Sequence, residues 1–182
     1  RANFGEIPFG DITKEETKRF IPDDFDVLCA GFPCQAFSIA GKRGGFEDTR
    51  GTLFFDVAEI IRRKRPKAFF LENVKGLVNH DKGRTLSTIL NTLREDLGYF
   101  VPNPKVMNAK DFGVPQNRER IFIVGFDTEF FGRDIDFNDI FSWSNPPATP
   151  TRLGDILEDS KKVDEKYTIS DKLWRGHLRR KE

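Results

Sequence analysis

Little in this sequence suits secretion or a membrane. Two cysteines in 182 residues, Cys29 and Cys34, cannot build a disulfide framework. Their spacing is not that of a CxxC pair, and no second pair exists to complete a metal site. A reducing, intracellular setting is the expectation. No apolar run is long enough for a membrane helix, and no charged-then-apolar leader opens the chain. Charge of neither sign is in excess: 30 Lys and Arg stand against 29 Asp and Glu, a formal net charge of +1. A site for a polyanion must therefore come from local clustering. No repeat or low-complexity tract is present. The two histidines, His80 and His177, read as surface residues. The chain opens at Arg1 without an initiator Met, and the expectation is a piece excised from within a domain.

What is present suits one globular domain with a real core, since 37% of residues are hydrophobic and 32% charged. The 19 Phe residues mainly fill that core. Residues 26–32 read as a buried strand, which makes Cys29 a core residue. Residues 41–51, rich in Gly, Lys, Arg and Asp, form a loop with room to move. Thr52 opens a helix whose Phe54, Val57, Ala58 and Ile61 share one face; cations at 62–65 suit its last turn and Pro66 stops it. A short strand at 68–71 ends at Glu72 and Asn73. A second helix spans about 85–97, with Leu86, Ile89, Leu90, Leu93 and Leu97 on one side and Gly98 closing it. Residues 101–107 are extended, carry two prolines, and so belong at a sheet edge. Residues 120–126 form a clear strand. This alternation predicts an α/β fold, a mostly parallel sheet with helices on both faces. After Asp127 the character changes, residues 145–150 make a Pro-rich linker, and two short helical segments follow near 153–157 and 170–178.

Three polar clusters fall at strand ends: Cys34, Glu72, and Arg118 with Arg120. In α/β sheets the chemistry gathers at the carboxyl ends of strands. Cys34 follows the first strand in the run Gly31-Phe32-Pro33-Cys34-Gln35-Ala36-Phe37-Ser38. There Pro33 fixes the local backbone and Gly31 permits a sharp bend. If the first two strands are parallel, Cys34 and Glu72 leave the same edge. A thiol, a carboxyl group and two guanidinium groups can then face one pocket and polarise an electron-poor ring under nucleophilic attack. Each residue has a plainer reading. Cys34 can be an inert buried thiol, Glu72 a surface acid, and Arg118 and Arg120 solvated or paired with Glu119.

Phe32-Pro33-Cys34-Gln35, Glu72-Asn73-Val74 and Gln116-Asn117-Arg118-Glu119-Arg120 resemble, in order, the three catalytic motifs of the DNA cytosine-5 methyltransferases. Arg50-Gly51-Thr52-Leu53-Phe54 resembles a further block of that family. Gly10-Asp11-Ile12 resembles its adenine-contacting segment, and Tyr167-Thr168-Ile169-Ser170 through Leu173-Trp174 the opening of its target-recognition region. The resemblance covers nearly the whole chain. It implies a Rossmann-like methyltransferase core, S-adenosylmethionine as methyl donor, and double-stranded DNA with a flipped cytosine as partner. It also implies a bacterial restriction-modification system in the cytoplasm, with no membrane partner and no metal.

Cytosine carbon 5 is a weak nucleophile, and thiolate addition at carbon 6 turns the ring into an enamine. The resemblance makes Cys34 the nucleophile, Glu72 the partner of ring nitrogen 3, and Arg118 and Arg120 supports for the base and the carboxylate. Burial would favour a proton on Glu72. Asp11, Ile12, Pro33 and Leu53 are assigned to the cofactor. Gln35, Ser38, Lys42, Arg43 and Arg50 are assigned to DNA, the cations suiting phosphate contact from a glycine-rich loop. No glycine-rich cofactor loop precedes Cys34, and the family's carboxyl-terminal segments are missing, so truncation at both ends is expected. Residues 1–145 are expected to be a partial catalytic domain and 146–182 a linker and the start of the recognition domain. Two alternatives remain: a cytosine-5 methyltransferase acting on tRNA, and a catalytically incomplete fragment that only folds or binds.

Overall fold

The computed structural model describes Gly5, residues 7–33, 53–132, Asp136, residues 141–147 and residues 151–178. Cys34, Gln35, Ser38, Lys42, Arg43 and Arg50 lie outside the described residues, as does the loop at 41–51. The elements run α1 (Glu15–Lys18), β1 (Val27–Gly31), α2 (Leu53–Lys64), β2 (Ala68–Val74) and α3 (Arg84–Asn91). After them come β3 (Tyr99–Phe100), β4 (Lys105–Asn108), β5 (Glu119–Asp127) and α4 (Thr128–Phe131). A last helix, α5, spans Asp171–Leu178.

One five-stranded sheet is ordered β1, β2, β5, then β3 and β4, both of which pair with β5. β1 and β2 are parallel, with Gly31 opposite Glu72. β5 is antiparallel to β2, β3 and β4. Four strands therefore share one direction, and β5 is inserted against them. The mostly parallel sheet holds in strand direction, although β5 makes three of the four pairings antiparallel. β3 and β4 form the far edge, and Pro102 and Pro104 fall in the gap between them, where no ladder donor is required.

The core draws on one face of the sheet. Phe69 and Leu71 of β2 and Ile121 and Ile123 of β5 meet Phe54, Val57, Ala58 and Ile61 of α2 and Ile89 of α3. Leu93, in a wider π turn (Thr92–Asp96) that continues α3, and Leu97 directly after it join them, so the expected single helix changes pitch before Gly98. The two long helices thus lie on one side. On the other, the ring of Phe126 packs against Phe131 of α4 and against Phe141, leaving Phe70 and Val74 exposed.

Two expectations need correction. β1 is not buried throughout: its residues alternate between exposed and half-buried, and Cys29 is exposed rather than core. Among the described residues β1 is an edge strand covered on one face only, so Val27, Cys29 and Gly31 point away from the helices. β2 does not stop before Glu72 but runs through Val74, because Gly31 and Phe122 both pair with Glu72 and continue the ladder. No described helix is long and apolar enough to cross a membrane. The short helical turns between 153 and 178 contain no buried residue.

Candidate active site

Glu72 is positioned by β2, and Arg120 by the start of β5. Arg120 Nε donates to Glu72 Oε1 at 2.7 Å, with the two side chains 21% and 34% exposed. Arg120 Nη1 also donates to the carbonyl of Glu119 at 2.8 Å, which fixes the guanidinium plane. Glu119 is itself tied to Lys75 at 2.8 Å, so Arg120 is left to Glu72. This overturns the plainer pairing of Arg120 with Glu119. Glu72 is about one-third exposed, so its carboxyl group is less buried than the sequence reading supposed.

Gly31 lies beside this pair. A Cβ on Gly31 would sit 3.3 Å from Glu72 Oε2, tighter than ordinary contact. Gly31 has no left-handed φ, so its use is room for the carboxylate rather than the sharp bend expected of it. Asn73, 2% exposed, points to the opposite face, as alternation along a strand requires. Its Nδ2 donates to the carbonyl of Phe32 at 2.9 Å, and its Oδ1 accepts from Val74 N at 2.8 Å. The chain entering Pro33 and Cys34 is thereby anchored to the same strand that presents Glu72.

Arg118 is exposed and precedes β5. Its main chain is held at both ends, N–H to Asn108 Oδ1 at 3.0 Å and carbonyl from Ala109 N at 3.0 Å. The structure therefore brings Glu72 and Arg120 into contact, with Gly31 against the carboxylate. Arg118 stands two residues from Arg120, and Cys34 lies outside the described residues.

The remaining assigned residues are spread more widely. Asp11 Oδ1 accepts from Thr13 N at 2.9 Å and from Thr13 Oγ1 at 2.8 Å. The bond from the Thr13 backbone, then that from its hydroxyl, holds the Asp11 carboxyl below its ordinary range. Ile12 is half-buried beside it, Pro33 is exposed after β1, and Leu53 opens α2 half-buried. Among the described residues, no group of His, Cys, Asp and Glu could hold a metal ion.

The model of the C-5 cytosine-specific DNA methylase family matches residues 1–182. This chain belongs to that family. It is 70% identical over 169 residues to the Type II methyltransferase M.HpaII of Haemophilus parainfluenzae, covering 93% of this chain and 45% of that protein. It is 60% identical over 181 residues to the Type II methyltransferase M1.ScrFI of Lactococcus lactis subsp. cremoris, covering 100% of this chain and 44% of the relative. The chain thus spans about half the length of the curated relatives it matches. Among solved structures it resembles a DNA modification methyltransferase encoded within a prophage (E. coli). The TM-score is 0.55 at 24% identity, over 89% of this chain and 41% of that one. It also resembles Spodoptera frugiperda DNMT2, with a TM-score of 0.52 at 21% identity over 84% and 45% of the two chains. At such identities these two speak for the fold, a methyltransferase α/β sheet. Use of S-adenosylmethionine is a general property of this kind of methylase.

Sequence reasoning passed over Asn108, and passed over the role of Asn73. Both are buried polar residues at strand ends, and both satisfy backbone groups of the neighbouring loop. In the sequence Asn73 is visible only as part of the Glu72 motif, and Asn108 lies eight residues before the motif that holds Arg118. A single amide side chain in a sequence does not reveal which distant carbonyl or N–H it will meet.

Proposed function

We propose that this chain carries the catalytic part of an enzyme that transfers a methyl group from S-adenosylmethionine to carbon 5 of a flipped cytosine in double-stranded DNA, within a bacterial restriction-modification system. Residues 1–145 are then part of the catalytic domain, and 146–182 a linker and the start of the target-recognition domain. The enzyme acts on DNA in the bacterial cytoplasm. The observation that carries the reading is the Glu72–Arg120 contact, 2.7 Å long, beside Gly31 and so three residues before Cys34 in the chain.

The chemistry follows from these groups. The Cys34 thiolate forms a bond to ring carbon 6, and the displaced π electrons make carbon 5 an enamine carbon. Negative charge builds toward nitrogen 3, where Glu72 shares a proton with the ring. Arg120, bonded to Oε1, keeps the carboxyl group from turning away and leaves Oε2 for the base. Preorganised charge of this kind costs no rearrangement at the moment of reaction. The exposed Arg118 guanidinium supports the base carbonyl. When bound, the sulfonium cofactor supplies an electrophilic methyl group to carbon 5. A solvent base then takes the carbon 5 proton, the electron pair of that bond re-forms the 5,6 double bond and expels Cys34 as thiolate, and the shared proton returns from nitrogen 3 to Glu72.

The residues present fit a nucleoside-bearing donor. Among the described residues both bonds to Asp11 fall on Oδ1, which leaves Oδ2 as an acceptor for an exocyclic amine. Ile12, Pro33 and Leu53 would supply apolar contact. Gln35, Ser38, Lys42, Arg43 and Arg50 would meet the DNA.

A duplex carrying 5-fluorocytosine at the target tests the mechanism, because fluorine cannot leave as a proton and the cysteine adduct is trapped. The complete protein carrying this chain should form that adduct in the presence of S-adenosylmethionine, and Cys34→Ser should not. An adduct on Cys34→Ser, or none on the native protein, overturns the reading.

A further inference from the structure

Asn108 has no part in the chemistry above, yet it sits at the base of the loop that delivers Arg118. It ends β4 opposite Glu119 and is 8% exposed. Among the described residues its three side-chain bonds all go to this loop. Oδ1 accepts from Arg118 N at 3.0 Å and from Lys110 N at 3.3 Å. Nδ2 donates to Asn117 Oδ1 at 2.6 Å. The main chain adds Ala109 N to the carbonyl of Arg118 at 3.0 Å.

The Arg118 backbone is thus closed on both its polar groups, while among the described residues its exposed guanidinium makes no hydrogen bond or ion pair. A charged side chain with no internal partner, on a backbone held this firmly, is arranged for something outside the fold. Holding the backbone in advance lowers the ordering cost of that contact. An apolar residue at 108 would leave the Arg118 and Lys110 N–H groups without their acceptor, whereas a carboxylate would keep it.

We propose that Asn108 is a positioning residue, which aims the Arg118 guanidinium at the base by bonding the Arg118 backbone. This rests on the methyl-transfer reading of the same site. The test uses the complete protein and the 5-fluorocytosine duplex, following the single-turnover rate of adduct formation, duplex affinity and the urea midpoint. Asn108→Ala should slow the adduct about tenfold or more while changing duplex affinity by less than about threefold, the pattern of a misplaced rather than a lost contact. In an Arg118→Ala background the same substitution should add almost nothing, since the two act through one group. Asn108→Asp, which keeps the acceptor and can take a bond from Asn117 once that amide turns its Nδ2 inward, should stay close to the native rate.

A native rate in Asn108→Ala overturns the proposal, as does an equal fall in the Arg118→Ala background or an Asn108→Asp variant as slow as Asn108→Ala. Should Asn108→Ala not fold, hydrogen exchange at the Arg118 amide of the native protein decides. Strong protection upholds the clamp, and exchange at the rate of an exposed loop overturns it. Failure of the methyl-transfer reading itself would show differently, as a native protein that forms no adduct.

Discussion

The two sides of β2 serve different ends. Phe69 and Leu71 are fully buried under α2 and α3, in a core shared with Ile121 and Ile123. The alternate residues Phe70, Glu72 and Val74 point the other way and stay partly open. Glycine marks both sides. On the helical side the ring of Phe69 lies across Gly125, where an added Cβ would fall 2.1 Å from a ring carbon. On the other side Gly31 makes the same kind of room for a carboxylate. A strand alternates its side chains, so one element can anchor a dry core and present a charged pair to solvent without either disturbing the other. Charge at Leu71 would lose its water, whereas at Glu72 it keeps water and a partner.

The largest effect expected of breaking this division is on activity. Glu72→Gln should cut methyl transfer by about 10²- to 10⁴-fold, the usual range for a positioned proton-transfer group. Its urea midpoint should hardly move, because a partly exposed ion pair contributes only about 0–1 kcal/mol. A large stability loss would show that the two sides are not independent. Leu71→Ala, one residue away, should do the reverse, destabilising the fold by about 2–5 kcal/mol through the cavity it leaves. Equilibrium urea unfolding checks it, and a loss below about 1 kcal/mol would mean that the site collapses around the gap.

The glycines sharpen the contrast. Gly125→Ala must push the Phe69 ring and should cost about 1–3 kcal/mol of stability. Gly31→Ala should leave stability nearly intact yet lower kcat about tenfold, because Glu72 Oε2 must shift by a few tenths of an ångström. Parallel melts and methylation assays on the two variants would expose any mixing of roles.

The smallest effect concerns Tyr99, which packs on Phe69 and donates to the Pro66 carbonyl at 2.6 Å. Burial, then the nearby Asp127 carboxylate, pushes its hydroxyl pKa well above the ordinary value. The unfolded chain ionises near pH 10 while the folded one does not, so this residue's contribution is complete below about pH 10 and fades as pH rises beyond it. Tyr99→Phe should lose about 1 kcal/mol at neutral pH and decline less steeply in alkali. Identical alkaline slopes in the two proteins would sink this prediction.

Much of this was legible in the residue pattern. The apolar spacing of Phe54, Val57, Ala58 and Ile61 announced α2, and all four are buried. Pro102 and Pro104 announced a broken edge. The ordered motifs around Cys34, Glu72 and Arg120 pointed to the family. Illegible were the direction of β5, the exposure of Cys29, and which of the two supports offered by the resemblance, Arg118 or Arg120, would meet Glu72. Each depends on what lies across a strand or above a face, and periodicity along one strand carries no record of its neighbours.

By itself, then, the sequence determined most of the elements, because propensity and apolar spacing are local properties, and its ordered motifs determined the family. Only the tertiary structure decided that Glu72 would take Arg120 as its partner, that Gly31 would clear space for the carboxylate, and that Asn73 and Asn108 would hold the neighbouring loops. Those contacts join residues 10 to 48 positions apart. They form where register and burial leave a polar group with one satisfactory partner.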